Sequence, residues 1–74
     1  MNGVNMTEFP KRLRALRKEK KLTQTELGDA LGLQQATIAK WELGERTRFI
    51  AYFIELAKYF NVSIDYLVGL EDFE

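Results

Sequence analysis

The side chains able to do chemistry in this 74-residue chain are amides, hydroxyls, carboxylates and cations, because it contains neither cysteine nor histidine. The usual transition-metal ligands, the commonest general base and the thiol nucleophile are therefore missing. Ser63 is the only serine, so a Ser-His-Asp triad cannot form. No convincing pair of carboxylates accompanies a glycine-rich pocket. The composition favours a binding module, with no catalytic residues, no metal site and no cofactor, over an enzyme.

The most informative polar side chains lie between positions 35 and 40. If this stretch is a helix with Ile38 and Trp41 turned inward, positions 36 and 40 project outward and positions 35, 37 and 39 flank them. The amide of Gln35 can bind the N6 and N7 groups of adenine together, and Ala36 can lie against a thymine methyl. Lys40 can reach a guanine acceptor or a phosphate. On an isolated helix, Gln34 and Gln35 would be interpreted as solvated side chains at its start; within a DNA-binding motif, we predict Gln35, Ala36 and Lys40 as base-reading residues.

These side chains need a rigid pair of helices to position them. Thr23 and Glu26 form a capping box that starts the helix before the one bearing Gln35. Gly32 can end it with a positive φ, and Gly28, in its middle, allows a second helix to cross closely. The pattern indicates a helix-turn-helix, with the later helix running from Gln34 to position 44.

Cap signals divide the rest of the chain into three further helices. Thr7 is predicted to cap the first, Thr47 the fourth and Ser63 the fifth, with Asn61 ending the fourth in the left-handed conformation. No segment alternates as a strand would. The expected fold is an all-α, compact five-helix bundle. A lead-in at 1–6, a domain at 7–70 and an acidic tail at 71–74 complete the predicted organisation.

Several segments together resemble the lambda-repressor-like, Cro-like helix-turn-helix regulators, also called the XRE family. The matching segments are residues 12–17, 22–28, 32–33, 37–44 and 56–69. The resemblance implies that the third helix lies in the major groove of DNA. It also implies that Gln24 contacts a backbone phosphate and that Arg17 forms a structural ion pair with Glu42.

Further contacts to the DNA backbone or to flanking groups are expected around the reading residues. The complete predicted set is Gln24, Gln34, Thr37, Arg46, Arg48, Lys11 and Arg12. The sequence departs from the family at Gln34, where relatives often have a serine or threonine cap. It departs again after Gly44, where Glu45 replaces a basic residue and should repel phosphate.

The fourth helix is more apolar than one buried face requires. A core stripe is expected at Ile50, Phe53, Ile54, Leu56, Ala57 and Phe60. Additional aromatic side chains on a surface helix commonly mark an interface, although a tyrosine on a small domain can also lie half exposed without any partner. Our hypothesis is a homodimer contact formed by Phe49, Tyr52, Tyr59, Tyr66 and Leu70.

The zero net charge of the chain conceals a separation of charge. Residues 1–48 carry ten basic and six acidic side chains, a net charge of +4. Residues 49–74 carry one basic and five acidic side chains, a net charge of −4. The half with the helix-turn-helix pattern therefore suits a phosphate surface, and the acidic end should point away from it.

The resemblance implies a sequence-specific DNA-binding transcriptional regulator, a repressor of bacterial or phage type that binds double-stranded DNA. Two recognition helices about 34 Å apart would read a near-palindromic operator and occlude polymerase. The alternative is an antitoxin or antagonist that uses the same fold to bind a protein. No signal peptide or membrane-spanning run is evident, so a cytoplasmic protein, associated with the nucleoid when bound to DNA, is expected.

Overall fold

Five helices make up the part of the chain that the structure, a computed structural model, describes: residues 8–45 and 49–70. They are α1 (Glu8–Glu19), α2 (Gln24–Leu31), α3 (Gln35–Glu42), α4 (Ile50–Phe60) and α5 (Ile64–Val68). These ranges contain no strand, which confirms the all-α prediction. The predicted cap Thr7, the lead-in at 1–6 and the tail at 71–74 lie outside the described residues.

Most helix ends follow from local hydrogen bonding, as predicted. The capping box is complete: the Glu26 amide donates to the Thr23 hydroxyl at 3.0 Å, and the Thr23 amide donates to the Glu26 carboxylate at 2.8 Å. The Ser63 hydroxyl caps α5 by accepting a hydrogen bond from the backbone amide of Tyr66. Gly32 and Asn61 end α2 and α4 in the left-handed region, with φ values of 72° and 58°.

Two helix starts have no side-chain cap. Gln34 is the N-cap of α3 and makes no capping hydrogen bond through its side chain, as its departure from the family pattern predicted. The start predicted for α4 is wrong. The helix begins at Ile50 after an extended Phe49, whereas Thr47 lies outside the described residues. The ring of Phe49 packs edge-on against Tyr52 at 6.0 Å, so the first turn is supported by an apolar contact.

Aromatic rings connect α1, α3 and α4 through the core. Phe9 lies 5.1 Å from Phe53 and 6.3 Å from Trp41 between ring centroids, and Trp41 lies 5.5 Å from Tyr52. The remaining fully buried aliphatic side chains come one from each of the five helices: Leu13, Leu27, Ile38, Leu56 and Leu67. Because the helix-turn-helix shares this core with α1 and α4, its orientation depends on the whole domain.

Part of the stripe predicted for the core of α4 is at the surface instead. Ile50 is 61% exposed and Ile54 is 40% exposed. The buried face is defined by Phe53, Leu56, Ala57 and Phe60. Ile54 lies about 110° round the helix from the centre of that face, whereas the four buried residues lie within about 50° of it.

Gly28 is where α2 and the turn before α3 come closest. A Cβ added at this residue would lie 2.7 Å from the carbonyl oxygen of Leu33. The backbone amide of Leu33 also donates to the carbonyl of Gly28, with an N–O distance of 2.7 Å. The crossing of the two helices therefore requires a residue without a side chain here, as predicted.

Replacement of Gly28 by alanine should lower the free energy of unfolding by about 1–3 kcal/mol, because the new methyl overpacks a backbone contact. The sign is informative, since alanine in the middle of a helix ordinarily stabilises by about 0.5–1 kcal/mol relative to glycine. Urea denaturation followed by circular dichroism measures the change. A Gly28→Ala protein more stable than the wild type would contradict the close crossing.

Candidate nucleic-acid interface

The outer face of α3 presents the row of side chains that the sequence predicted. Gln34, Gln35, Ala36 and Lys40 are exposed, and Thr37 is half-buried. The opposite face is held in the core, where the side chain of Ile38 has no exposed surface. The exposed row is therefore carried by a helix that is anchored along its length.

Gln35 is held in place by a side chain of α2. Its Nε2 donates a hydrogen bond to Oε1 of Gln24 at 2.6 Å. Gln24 in turn donates from Nε2 to Oε1 of Glu42 at 3.1 Å, so one amide bridges the beginning and the end of α3. The contact of Gln24 with a phosphate, predicted from the resemblance, remains untested.

The ion pair predicted between Arg17 and Glu42 is present and joins α1 to the end of α3. Arg17 donates from Nε to Oε2 of Glu42 at 2.6 Å and from Nη2 to Oε1 at 3.0 Å. Its Nη1 donates to the backbone carbonyl of Leu22 at 2.7 Å. The two charged side chains are only 10% and 5% exposed, respectively. A bidentate pair with so little solvent around it fixes the orientation of both partners.

The environment of Glu42 favours its ionised form. Burial opposes the charge and by itself would raise the pKa, but hydrogen bonds from Arg17 and then Gln24 outweigh burial. The pKa of Glu42 consequently lies below the usual range for a glutamate. The hydrogen bond to Glu42 likewise raises the pKa of Arg17 above its already high ordinary value.

Arg14 and Leu43 are neighbours of this pair that sequence reasoning did not select. Together with Gln24, they line a surface cleft of about 350 Å³ whose remaining walls come from Arg17, Ala39 and Glu42. Arg14 is one helical turn before Arg17, a spacing that places both on one side of α1. This spacing could have identified Arg14 as a neighbour of the ion pair. Leu43 is 85% exposed, and nothing in its sequence position except its apolar character could have identified it.

Arg12 contacts α5 within the domain, and the phosphate contact predicted for it remains untested. Its Nη1 donates to the backbone carbonyl of Tyr66 at 2.7 Å, and its guanidinium carbon lies 4.4 Å from the centroid of the Tyr66 ring. Half-buried between α1 and α5, this guanidinium is oriented toward the protein. Lys11, in contrast, is exposed. The predicted contacts Arg46 and Arg48 lie outside the described residues.

The tyrosines predicted for a dimer contact pack largely against their own domain. Tyr52 contacts the ring of Trp41, and Tyr66 lies under Arg12. Tyr59 is half-buried, with its centroid 5.1 Å from that of Phe60. Within residues 8–45 and 49–70, the large apolar residues that are exposed are Phe49, Ile50, Ile54 and Leu70, at 68%, 61%, 40% and 59%, besides Leu43. The exposed apolar surface is therefore formed mainly by the start of α4 and the residue before it. The tyrosine rings are only partly exposed, because they pack at the edge of the core.

Among residues 8–45 and 49–70, no cluster of three or more acidic side chains is arranged to hold a metal ion. Over those same ranges, every helix is too short or too polar to cross a membrane.

Acid should remove the contribution of the ion pair to stability. Because the folded-state pKa of Glu42 is depressed, this contribution is fully present above about pH 4.3, the ordinary pKa of a glutamate, and is lost as the pH falls through the lower folded value. At pH 7, Glu42→Gln should lower the free energy of unfolding by about 3 kcal/mol, because it leaves Arg17 without its charged partner. The difference from wild type should shrink below pH 4.

Urea titrations between pH 2.5 and 7 measure this dependence. Glu26→Gln is the matched control, since it removes one negative charge from an exposed position while keeping a side chain that can complete the capping box. A difference between the wild type and Glu42→Gln that is unchanged by pH would contradict the assignment.

Comparison with known families agrees with this geometry. Residues 13–67 match the family model described as Helix-turn-helix. The chain is 36% identical over 66 residues to the uncharacterized HTH-type transcriptional regulator YqaE of Bacillus subtilis, covering 89% of this chain and 57% of that protein. It is 34% identical over 64 residues to the uncharacterized regulator YobD of the same organism, covering 86% and 57%. The chain thus spans little more than half the length of these relatives.

Solved structures contain the same arrangement of helices. The P22 c2 repressor protein in complex with synthetic operator 9T aligns with a TM-score of 0.77 and 32% identity, covering 85% of this chain and 96% of that one. Hydroxypropylphosphonic acid epoxidase from S. wedmorenis aligns with a TM-score of 0.78 and 26% identity, but only over 36% of its length. The match over residues 13–67 and the paired helices α2 and α3 show that this chain belongs to the XRE-type helix-turn-helix family.

Proposed function

We propose that this chain is the DNA-binding domain of a transcriptional regulator of repressor type, which reads a near-palindromic operator with α3. The observation that carries the proposal is the exposed row on α3, in which the amide of Gln35 is held outward by Gln24. An exposed amide in a fixed orientation can present one donor and one acceptor to a base edge. The names of YqaE and YobD and the operator complex of the P22 c2 repressor support the same function.

Recognition in the major groove follows from the groups that α3 presents. Gln35 accepts a hydrogen bond from adenine N6 through Oε1 and donates one to N7 through its second Nε2 hydrogen. Ala36 contacts a thymine methyl, and Lys40 binds a guanine acceptor or a phosphate. Gln34 and Thr37 flank these contacts at the start of the helix.

Contacts to the DNA backbone place α3 in register without reading sequence. Gln24 is the first residue of α2, where the helix dipole and free amides favour a phosphate, and Lys11 adds an exposed cation. Arg46 and Arg48, which lie between α3 and α4 in the sequence, remain proposed contacts. The net charge of +4 on residues 1–48 favours this orientation on DNA.

The proposed activity is occupancy of DNA without catalysis. The chain has no histidine or cysteine, and its likeness to the epoxidase is confined to about a third of that enzyme. A domain of this kind can serve as one module of a catalytic protein, so the likeness to part of an enzyme does not carry the chemistry with it.

A homodimer is proposed to place two copies of α3 on the two half-sites. The first half of α4 supports it, because Phe49, Ile50 and Ile54 are exposed on a small domain whose core is already filled. Leu70, exposed just after α5, extends the apolar surface that a second copy would cover. Two-fold symmetry in the protein would then match the symmetry of the operator.

Gln35→Ala should reduce discrimination at one base pair by about 1–3 kcal/mol and leave the preference at other positions intact. Selection from random duplexes at two salt concentrations identifies the preferred sequence, and titrations of single-base variants measure each preference. Gln34→Ala shortens the neighbouring exposed amide, which is proposed to make a flanking contact, so it should lower affinity without changing the preference at any base pair. If Gln35→Ala weakens binding to every duplex equally, Gln35 does not read a base.

Ile50→Glu should weaken self-association at least about tenfold, because it places a charge in the proposed apolar contact. Sedimentation at micromolar concentrations, with and without operator, measures the change. Ala15→Glu adds the same charge at an exposed position of α1 and should leave association unchanged. A wild-type protein that remains monomeric both alone and on DNA would contradict the homodimer.

A further inference from the structure

We propose that Glu42 determines the base preference of Gln35 from inside the protein, by fixing the direction in which the amide of Gln24 points. The residues form a continuous relay from Arg17 through Glu42 and Gln24 to Gln35. This inference rests on the proposed function, because it concerns which base the exposed end of the relay selects. Glu42 is a positioning residue in this scheme and does not touch DNA.

The buried end of the relay can only accept hydrogen bonds. An ionised carboxylate has no hydrogen to donate, and Glu42 receives three donors, two from Arg17 and one from Gln24. The Glu42 side chain is 5% exposed, so little water is available to replace these donors. Any group that faces Glu42 at hydrogen-bond distance must therefore be a donor.

This requirement sets the amide of Gln24. With Nε2 turned toward Glu42 at 3.1 Å, its Oε1 is left facing Gln35. The reversed amide would place Oε1 against the carboxylate, which replaces an attractive contact by a repulsive one, and Gln35 would have to turn its own Oε1 toward Nε2 of Gln24. A single orientation is thus strongly favoured, and it presents an acceptor to Gln35.

The acceptor on Gln24 sets Gln35 in the same way. One Nε2 hydrogen of Gln35 is used by Gln24 at 2.6 Å, which leaves one N–H and Oε1 for a base. That pair matches adenine, which offers the N7 acceptor and the N6 donor. Guanine offers two acceptors, O6 and N7, and requires two donors. Gln35 held by the relay therefore favours adenine and disfavours guanine, whereas a freely turning Gln35 could donate twice.

The test measures the ratio of affinities for adenine and guanine at one base pair. The probe is the duplex selected by the wild-type protein. It carries either A·T or G·C at the one base pair at which the Gln35→Ala protein no longer shows a preference. Glu42→Gln should lower the adenine-to-guanine ratio by about fivefold or more, the lower end of what one bidentate contact discriminates. Glu26→Gln removes the same charge outside the relay and should keep the ratio. An unchanged ratio in Glu42→Gln overturns the proposal, even if its overall affinity falls.

A double exchange separates the relay from general damage to the fold. In Gln24→Glu/Glu42→Gln, the new amide at 42 can accept from Arg17 and donate to position 24, and the new carboxylate at 24 still accepts from Gln35. This protein should recover the wild-type ratio, although its affinity for all DNA should fall through repulsion of phosphate. Failure to recover the ratio in a folded double variant, shown by its circular dichroism spectrum, overturns the proposed direction of the relay.

Gln24→Met covers the case in which Glu42→Gln does not fold. It interrupts the relay and leaves the ion pair of Arg17 with Glu42 in place, so the adenine-to-guanine ratio should fall as in Glu42→Gln. A folded Gln24→Met protein with an unchanged ratio overturns the proposal. A wild-type protein that selects no sequence overturns the proposed function itself, and that result is distinct from a selected preference that ignores Glu42.

Discussion

The close approach of backbones at Gly28 is the constraint on which the rest of the structure depends. With the carbonyl of Leu33 2.7 Å from the position that a Cβ would occupy, α2 and the turn before α3 can meet only if residue 28 has no side chain. Their separation decides whether Gln24 reaches Gln35 at one end of α3 and Glu42 at the other. The polar network of the candidate interface is thus a consequence of backbone packing.

The ion pair between Arg17 and Glu42 adds a second constraint, which acts between α1 and α3. A buried pair of this kind contributes little net stability compared with well-packed apolar groups, but leaving one partner alone is costly. Its value here is positional, since the carboxylate receives donors from both α1 and α2. The network thus connects the exposed amide of Gln35 to the almost fully buried side chains of Arg17 and Glu42.

Charge and most of the exposed large apolar residues are divided between the two halves of the sequence. The positive half of the sequence contains α1 to α3, and the negative half contains α4 and α5. The exposed isoleucines of α4 lie in the half with the net negative charge, which is less suited to a phosphate surface. This division suits the proposed DNA contact and the proposed self-association, which use different parts of one small domain.

Local sequence determined most of the fold. The capping box at Thr23, the left-handed ends at Gly32 and Asn61 and the serine cap of α5 depend on hydrogen bonds within a few residues, so their patterns were sufficient. The family resemblance identified the ion pair, and helical spacing identified the exposed row on α3. Each of these features depends on contacts between residues close in sequence, on helical periodicity or on a family motif.

Tertiary structure alone decided where the long side chains go. The guanidinium of Arg12 turns to Tyr66, 54 positions later in the chain, and the amide of Gln24 bridges Gln35 and Glu42. The exposure of Ile50 and the packing of Tyr52 likewise depend on which neighbours cover α4. Helical spacing specifies the side of a helix on which a residue lies. The partner that a long flexible side chain meets there depends on packing between segments far apart in sequence, which no local pattern encodes.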